Sequence, residues 1–384
     1  MKNTKAIFFS LFFILLLGTI LRIYNLDKES LWFDEAGSIN LAMRNPIEVF
    51  TKFHNSFFYF WALKYWIKCF GLSEAALRYL SAIFGICSIF LIYKIARILF
   101  NQKIGLISAF LLSISPIHIF YSQEIRNYSL FLFLSLCSML IFIKLIKENR
   151  IKQYLLIILI NILLLYTFSF GILVIFIQNI FFFIIHKQEK NRRWIISQLI
   201  LLSFFLLWAI PIFFALINDP WIRTSTNWIK RPGLNTLIET FKTFCYGAEN
   251  YGGNDLQINS KFLLIPHYLV YVFGILFLFG LSLLKQPQYK NNLKLIILWL
   301  SSIFIPFFIS IIFFPIYVIR YIIYALPPFL IIIAAGINKL KFKKIVIFTI
   351  LLLTINSLIY YFTKELKINW EEAIGYINEN IKKR

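Results

Sequence analysis

Residues 127–147 read NYSLFLFLSLCSMLIFIKLIK, an apolar run whose only two cations lie in its last four residues. A helix of about 20 apolar residues crosses the hydrocarbon core of a bilayer, so this stretch predicts a membrane-spanning helix. Similar runs recur along the chain, in which 60% of the 384 residues are apolar and 15% are charged. A soluble domain would carry about a quarter charged residues, and an outer-membrane barrel would alternate apolar and polar residues, so both classes fit poorly.

These runs predict an all-α polytopic integral membrane protein, a bundle of about eleven transmembrane helices. The first span, from Ala6 to Leu21, is expected to remain uncleaved because no small-x-small cleavage site follows it. The other spans are expected near 76–99, 104–122, 127–147, 153–169, 171–186, 194–216, 263–284, 293–314, 321–338 and 344–362.

The spans define one transmembrane domain over residues 1–362. Two long outer loops are expected within it, at 24–75 and 217–262, and a short tail over 363–384 carries an amphipathic helical pattern. Residues 54–71 are aromatic and basic, which is typical of a juxtamembrane helix lying on the bilayer surface.

The distribution of charge predicts an orientation in the cell inner (plasma) membrane. With the N-terminus in the cytoplasm, the inside segments hold 20 of the 39 Lys and Arg, and the three short outside turns hold only Arg126 and Arg320. Fifteen of the 17 acidic residues then lie outside, so the C-terminus and the chemistry are expected at the extracytoplasmic face. The net charge of +22 does not indicate a nucleic-acid partner, because the cations are scattered in small groups between apolar runs.

Ionisable residues beside a bilayer are costly, so each polar segment next to a span is a site hypothesis. The segment SLWFDEAGSINLA, residues 30–42, holds Asp34 and Glu35 just beyond the first span. Two adjacent carboxylates repel each other when both are ionised, which favours proton uptake by one of them and therefore a general base. The alternative is that Asp34 caps a helix.

The segment IFYSQEIRNYSLF, residues 119–131, forms the turn between the third and fourth spans. Arg126 or Asn127 opens the fourth span, whose positive N-terminal end would face outward and favour an anion. An internal pair between Glu124 and Arg126 at the headgroups is the alternative.

The segment PIYVIRYIIYALPP, residues 315–328, places Arg320 at the start of the tenth span, with Pro327 and Pro328 interrupting that helix. The guanidinium fork suits phosphate because it donates two parallel hydrogen bonds. The alternative is an arginine that reaches the lipid headgroups.

The parity of the spans brings these three segments to one face. Asp34, Glu124 and Arg320 follow the first, third and ninth spans, so all of them emerge outside. A carboxylate base and two arginines on one membrane face fit a reaction in which a lipid-linked phosphate departs and an acceptor is deprotonated.

At these residues the chain resembles the GT-C glycosyltransferases that use polyprenyl-phosphate sugars. It is most similar to the bacterial branch of the protein O-mannosyltransferase family (glycosyltransferase family 39), with the lipid A aminoarabinose transferases as relatives. The similarity rests on five motifs in order: LWFDEAGS; FHNSFFYF with CFGLSEAALRYLSAIFG; YSQE-R-Y; Arg320-Tyr321 with Pro327; and the late segment Asn369-Trp370-Glu371-Glu372-Ala373. One departure is that the family's Pro-Pro after His54 is Asn55-Ser56 here.

The resemblance implies an inverting transfer on the outer face from a polyprenyl-phosphate-linked sugar donor to a cell-envelope acceptor. Asp34 would be the base, with Glu35 as a second catalytic carboxylate. The implied donor-binding residues are Arg126, Arg320, Tyr128 and Tyr321. The residues implied to contact the sugar or to orient other groups are Glu124, Gln123 and His54. The relatives leave open a divalent metal, Mg or Mn, beside Asp34 and Glu124.

A transporter or flippase of a lipid-linked sugar is the alternative class. Such a protein would need ionisable residues along a path through the membrane, with broken helices in matching halves. Charges in the middle of the predicted spans are nearly absent and no internal repeat is visible, so the sequence favours the enzyme.

Overall fold

The computed structural model describes residues 2–52, 56–185, 191–218, 227–247 and 264–363, and within these ranges it contains helices and no β-strand. The predicted all-α class is confirmed. In chain order the α-helices are α1 (Lys2–Ile23), α2 (Phe33–Met43), α3 (Pro46–Lys52), α4 (Phe57–Phe70), α5 (Glu74–Leu99), α6 (Gln102–Ser113), α7 (Pro116–Ser122), α8 (Tyr128–Glu148), α9 (Ile151–Thr167), α10 (Gly171–Ile185), α11 (Asn191–Asn218), α12 (Leu234–Tyr246), α13 (Leu264–Leu281), α14 (Pro287–Ser301), α15 (Phe304–Ile312), α16 (Leu326–Lys339) and α17 (Lys343–Thr363). Two 3-10 segments, Ser282–Lys285 and Ile319–Ala325, precede α14 and α16.

Seven helical stretches of the described ranges are long and apolar enough to cross a membrane, or eight if one bent pair is counted as a single span. Three further apolar helices, within α9, α10 and α13, have only 10–17 residues. A helix lies at each predicted span, but the number of about eleven crossings is not confirmed.

The stretch that includes α16 lies at the centre of the bundle. In the span Ile319–Lys339, 89% of an 18-residue stretch is buried, whereas in Lys5–Ile23 of α1 only 11% of such a stretch is buried. Helix α16 contacts α13 at two glycines, because a Cβ on Gly336 would overlap the carbonyl of Leu276 and a Cβ on Gly280 would overlap that of Ile332. Small residues of this kind allow two membrane helices to approach backbone to backbone.

The third predicted span, over 104–122, consists of two helices and not of one continuous helix. Helix α6 ends at Ser113 and α7 begins at Pro116, with an angle of 62° between them. Proline cannot donate a backbone hydrogen bond and disfavours helical conformation in the residue before it, so the helix breaks there. The fully buried Arg22 guanidinium donates to the freed carbonyls of Leu112 and Ser113, each at 2.9 Å.

The segment expected to form the first outer loop, residues 24–75, contains three short helices, α2, α3 and α4. The aromatic helix α4 packs Tyr59 and Leu63 inward and leaves Trp61 and Tyr65 exposed. An aromatic face of this kind suits the interface between lipid and water. The predicted tail helix lies outside the described residues.

Candidate active site

The carboxylate of Asp34 lies between two arginines from distant parts of the chain. Arg126 Nη2 is 3.7 Å from Asp34 Oδ2, and Arg320 Nη1 is 3.9 Å from the same oxygen. Each of the three side chains is 19–25% exposed, so the group is partly shielded from solvent but can still be reached. The structure therefore brings together Asp34, Arg126 and Arg320, which lie in the three segments that the parity of the spans assigns to one face.

Each of these residues is held by a different local structure. Asp34 is the second residue of α2, where a negative charge is favourable beside the exposed backbone N–H groups. Trp32 occupies the N-cap position, so the alternative that Asp34 is the cap is wrong. Arg126 lies in the turn before α8, which begins at Tyr128 with Asn127 as its N-cap.

Arg320 differs from the expectation that it opens an α-helix. It belongs to the 3-10 segment Ile319–Ala325, and the α-helical hydrogen-bond pattern begins only at Leu326. Pro327 and Pro328 lie in the first turn of α16, where a missing N–H leaves no helical bond unmade. The two prolines start the helix rather than interrupt it.

Arg126 is also anchored to the backbone of α2. Its Nη1 donates to the carbonyl of Asp34 and to the hydroxyl of Ser38, each at 3.3 Å. Burial lowers the pKa of the Arg126 guanidinium, but Tyr128 and Asp34 raise it by more, so the pKa lies above its ordinary value. The group therefore remains a cation at any physiological pH.

Glu35 has a different environment from its neighbour Asp34. Its side chain is fully buried and accepts hydrogen bonds from Arg78 Nε at 3.2 Å, Arg78 Nη2 at 3.0 Å and the backbone N–H of Ile125 at 3.0 Å. Sequence reasoning assigned no role to Arg78, although the segment LSEAALR that contains it carries part of the family resemblance. These contacts join the first outer loop to α5 and to the turn that bears Arg126.

Aromatic rings form one wall of the site. Tyr128 and Tyr321 stack with ring centroids 6.3 Å apart, and Phe168 meets the edge of Tyr321 at 5.1 Å. The Arg320 guanidinium lies 5.7 Å from the ring of Tyr321 and 5.2 Å from the ring of Trp228. Sequence reasoning did not single out Trp228, because it lies in a long loop without a motif.

Some polar atoms of this wall are buried without a hydrogen-bond partner among the residues described. They are the Nε atoms of Arg126 and Arg320 and the hydroxyl of Tyr128. Buried donors of this kind usually have a partner, so the site has unused capacity to bind an acceptor-rich group.

The remaining predicted residues are distributed differently. Gln123 donates to the carbonyls of Arg22 at 3.2 Å and Tyr24 at 2.9 Å and accepts from the hydroxyl of Tyr361, so it joins the outer ends of α1, α7 and α17. Glu124 is buried in the turn between α7 and α8. His54 lies outside the described residues.

The donor set beside Asp34 does not fit a divalent metal. No group of three or more His, Cys, Asp or Glu suited to a metal ion occurs in the part of the chain that the structure describes. The Asp34 carboxylate faces two guanidinium groups, which would repel a further cation at that position.

An apolar cavity of about 470 Å³ lies among α12, α13, α14, α15 and α16. Its lining residues are Leu237, Thr240, Phe241, Phe244, Phe277, Leu281, Ile297, Leu300, Ser301, Ile303, Phe304 and Phe329. One of them, Thr240, is hydrogen-bonded at 2.9 Å to the hydroxyl of Tyr317, three residues before Arg320. The cavity is therefore connected through that pair to the segment that carries Arg320.

The sequence matches a family model described as "Dolichyl-phosphate-mannose-protein mannosyltransferase" over residues 54–225. This region covers a little under half of the chain and contains Arg78, Glu124 and Arg126. No curated protein matches the chain.

Solved structures of two proteins resemble the fold. ArnT from Cupriavidus metallidurans in the apo state matches with a TM-score of 0.59 and 14% identity, over 89% of this chain and 61% of ArnT. The structure of ArnT bound to undecaprenyl phosphate matches with a TM-score of 0.57 and 14% identity, over 88% of this chain and 61% of that one. The archaeal oligosaccharyltransferase AglB from Archaeoglobus fulgidus, in complex with an inhibitory peptide and a dolichol-phosphate, matches with a TM-score of 0.61 and 12% identity, over 98% of this chain and 58% of AglB.

This chain therefore spans less than two thirds of the length of each of these solved structures. The likeness to these solved structures shows a shared fold: the chain has the helical membrane fold of ArnT and AglB.

Proposed function

We propose that this protein transfers a sugar from a polyprenyl-phosphate donor to a cell-envelope acceptor at the outer face of the cytoplasmic membrane. The observation that carries the proposal is the position of Asp34 within 4 Å of both Arg126 and Arg320. A base and a phosphate site in one partly buried cleft are what this reaction requires.

In the proposed reaction the Asp34 carboxylate takes the proton of the acceptor hydroxyl or amine as that group attacks the anomeric carbon of the sugar. A bond forms between the acceptor atom and the anomeric carbon, and the bond from that carbon to the phosphate oxygen breaks. The bonding electron pair leaves with the polyprenyl phosphate. Because the attack and the departure occur on opposite sides, the configuration of the sugar inverts.

Arg126 and Arg320 would stabilise the charge that grows on the leaving phosphate. Their distances of 3.7 and 3.9 Å to Asp34 exceed the length of about 2.7–2.9 Å that a charge-assisted hydrogen bond has. The two guanidinium groups are therefore not saturated by Asp34. Tyr128 and Tyr321 would hold the phosphate end of the donor between aromatic faces.

The apolar cavity beside α12 is suited to the lipid tail of the donor. ArnT has been solved with undecaprenyl phosphate and AglB with a dolichol-phosphate, so related folds accommodate such lipids. The aromatic lining residues Phe241, Phe277 and Phe329 would contact the isoprenoid chain, with its phosphate directed toward Arg320.

The geometry also suggests roles for two residues implied by the resemblance. Because Glu35 is saturated by Arg78 and Ile125, we assign it to positioning Asp34 rather than to proton transfer. Gln123 is committed to backbone carbonyls, so we assign it to holding the turn that bears Arg126.

The decisive experiment compares envelope glycans from cells that lack the protein and carry either the unaltered chain, Asp34→Asn or Asp27→Asn. Asp27 is an exposed aspartate of the same outer loop and serves as the matched control. We expect a sugar on a defined acceptor to disappear with Asp34→Asn and to remain with Asp27→Asn, by mass spectrometry. Transfer retained by a folded, membrane-inserted Asp34→Asn variant would refute the base.

The same variants separate the enzyme from a flippase. A flippase would move labelled polyprenyl-phosphate sugar across the membrane of liposomes without any acceptor. Because a flippase forms no glycosidic bond itself, Asp34→Asn would not abolish formation of such a bond. We expect no such scrambling by the unaltered protein.

A further inference from the structure

Three cations converge on an open cavity at the end of the bundle opposite the candidate active site. The cavity has a volume of about 650 Å³ and is lined by Arg97, Asn101, Gln102, Lys103, Asn338 and Lys343. It lies where α5 ends, α6 begins, α16 ends and α17 begins. None of its lining residues is acidic.

Helix α5 connects the two sites. Arg78, which binds Glu35, lies in its second turn and Arg97 lies in its last turn, so the rise of 1.5 Å per residue separates them by roughly 28 Å. The ends of α8 and α14 gather at the same place, because Lys147 donates to the carbonyl of Ile98 and Asn292 to that of Leu99. This is the end of the bundle that the distribution of cations predicts to be cytoplasmic.

The cations that line the cavity have no carboxylate counter-charge among the other lining residues. Arg97, Lys103 and Lys343 form no ion pair with any residue of the described ranges. Lys103 and Lys343 also lie in the first turns of α6 and α17, where the helix dipole is positive and a cation is disfavoured. A bound anion would relieve both effects, and the amides of Gln102 and Asn338 can donate to it as well.

The surroundings of Lys343 favour an anion that carries acyl chains. Phe342 is 72% exposed and Ile345 is 63% exposed, so apolar surface adjoins the cationic group at the start of a membrane-spanning helix. A free phosphate ion would gain nothing from contact with this apolar surface. A phospholipid would place its headgroup among the cations and its acyl chains along α17.

We propose that this cavity binds the phosphate group of an anionic phospholipid in the leaflet opposite the candidate active site. The site is independent of the sugar-transfer reaction, since its residues lie at the other end of α5. It would fix the α16–α17 connection to the membrane surface by a headgroup.

The test uses the full chain in phosphatidylcholine nanodiscs that contain a minor fraction of phosphatidylglycerol, with lipid retention measured by native mass spectrometry. The triple variant Arg97→Gln, Lys103→Gln, Lys343→Gln is compared with a control that also removes three cations from this end of the bundle: Lys144→Gln, Lys152→Gln, Lys290→Gln. At about 1 kcal/mol per cation near a membrane surface, we expect the first triple to weaken phosphatidylglycerol binding on the order of 100-fold. The control is expected to retain the lipid as the unaltered protein does.

Lys343→Gln alone provides a milder variant that guards against loss of folding, and it is expected to weaken binding about fivefold. Equal loss in both triple variants would overturn the proposal, since it would mean a general effect of charge. Displacement of phosphatidylglycerol by millimolar inorganic phosphate would also overturn it and identify a site for soluble phosphate. Sugar transfer is not part of the readout, so failure here leaves the proposed function untouched.

Discussion

Asp34 and Glu35 are chemically similar neighbours in the first turn of α2, and their surroundings differ. Consecutive residues of a helix point about 100° apart, so one side chain can face the core while the other faces a cleft. Glu35 is fully buried against Arg78, and Asp34 is 25% exposed beside Arg126 and Arg320. The sequence identified the acidic pair. The different environments of its two members result from packing against α5, which no local sequence pattern predicts.

At the residue scale, Arg126→Gln and Arg320→Gln each remove one cation from the leaving-group site. We expect kcat for sugar transfer to fall about 100- to 1,000-fold, as happens when one donor to a developing anion is lost. Arg44→Gln is the control, because Arg44 lies in the first outer loop, which also carries Asp34, but pairs with Glu48 instead of Asp34. An increase in KM with unchanged kcat would contradict the assigned role.

The variant Glu35→Gln tests, through the thermal stability of the protein, whether Glu35 positions Asp34. The change removes the closer of the two carboxylates that pair with the buried Arg78 guanidinium, leaving only Glu74 at 3.4 Å, and breaking a buried pair costs about 3–5 kcal/mol. We expect a clear drop in the thermal unfolding midpoint of the purified protein in detergent. Glu48→Gln breaks an exposed pair and should cost less than about 1 kcal/mol. If the two variants unfolded at the same temperature, Glu35 would not anchor the loop.

At the scale of the helices, the contact between α13 and α16 depends on glycine. Gly336→Ala would drive a methyl group into the carbonyl of Leu276, and overpacking of this kind costs about 1–3 kcal/mol. Gly274→Ala on α13 is the matched control, since no neighbouring heavy atom lies within 4 Å of its added carbon. We expect only Gly336→Ala to lower the unfolding midpoint. Equal midpoints would mean that the two helices are not in close contact.

The sequence predicted where helices occur better than where they break. The length of an apolar run predicts a membrane helix because the thickness of the hydrocarbon core is the same for every helix that crosses it. The break at Pro116 was missed because Ser113–Pro116 lies inside an apolar run and the compensating group, Arg22, is about ninety residues away. The 3-10 segment at Arg320 was missed because no local pattern marks it, and the contact just before it, from Tyr317 to Thr240, joins residues 77 positions apart.

At the scale of the whole molecule, the predicted orientation can be tested with single cysteines. In a background without the native cysteines, Trp228→Cys should react with a membrane-impermeant maleimide in intact cells, because Trp228 is exposed beside Arg320. Lys103→Cys, at the opposite end of the bundle, should react only after the membrane is opened. The reverse pattern would put the candidate active site in the cytoplasm and contradict the proposed function.

The feature of the candidate site that the sequence predicted best is that its charged residues lie on one face of the membrane. Counting spans places Asp34, Arg126 and Arg320 on one face whatever the number of crossings between them, provided the parity is kept. The number and order of the spans did not predict the aromatic wall or Trp228. In a chain rich in aromatic residues, the sequence does not indicate which rings contact each other.

The separation of Asp34, Arg126 and Arg320 along the chain has a consequence for biogenesis. Asp34 follows the first membrane helix, Ile125 and Arg126 come about ninety positions later, and Arg320 lies in the last fifth of the sequence. A ribosome-bound intermediate would thus hold the acid with Arg126 but without Arg320 for about half of translation. The candidate site would be complete only after the segment that carries Arg320 has been inserted. A truncated or stalled product could therefore insert normally into the membrane and still be inactive.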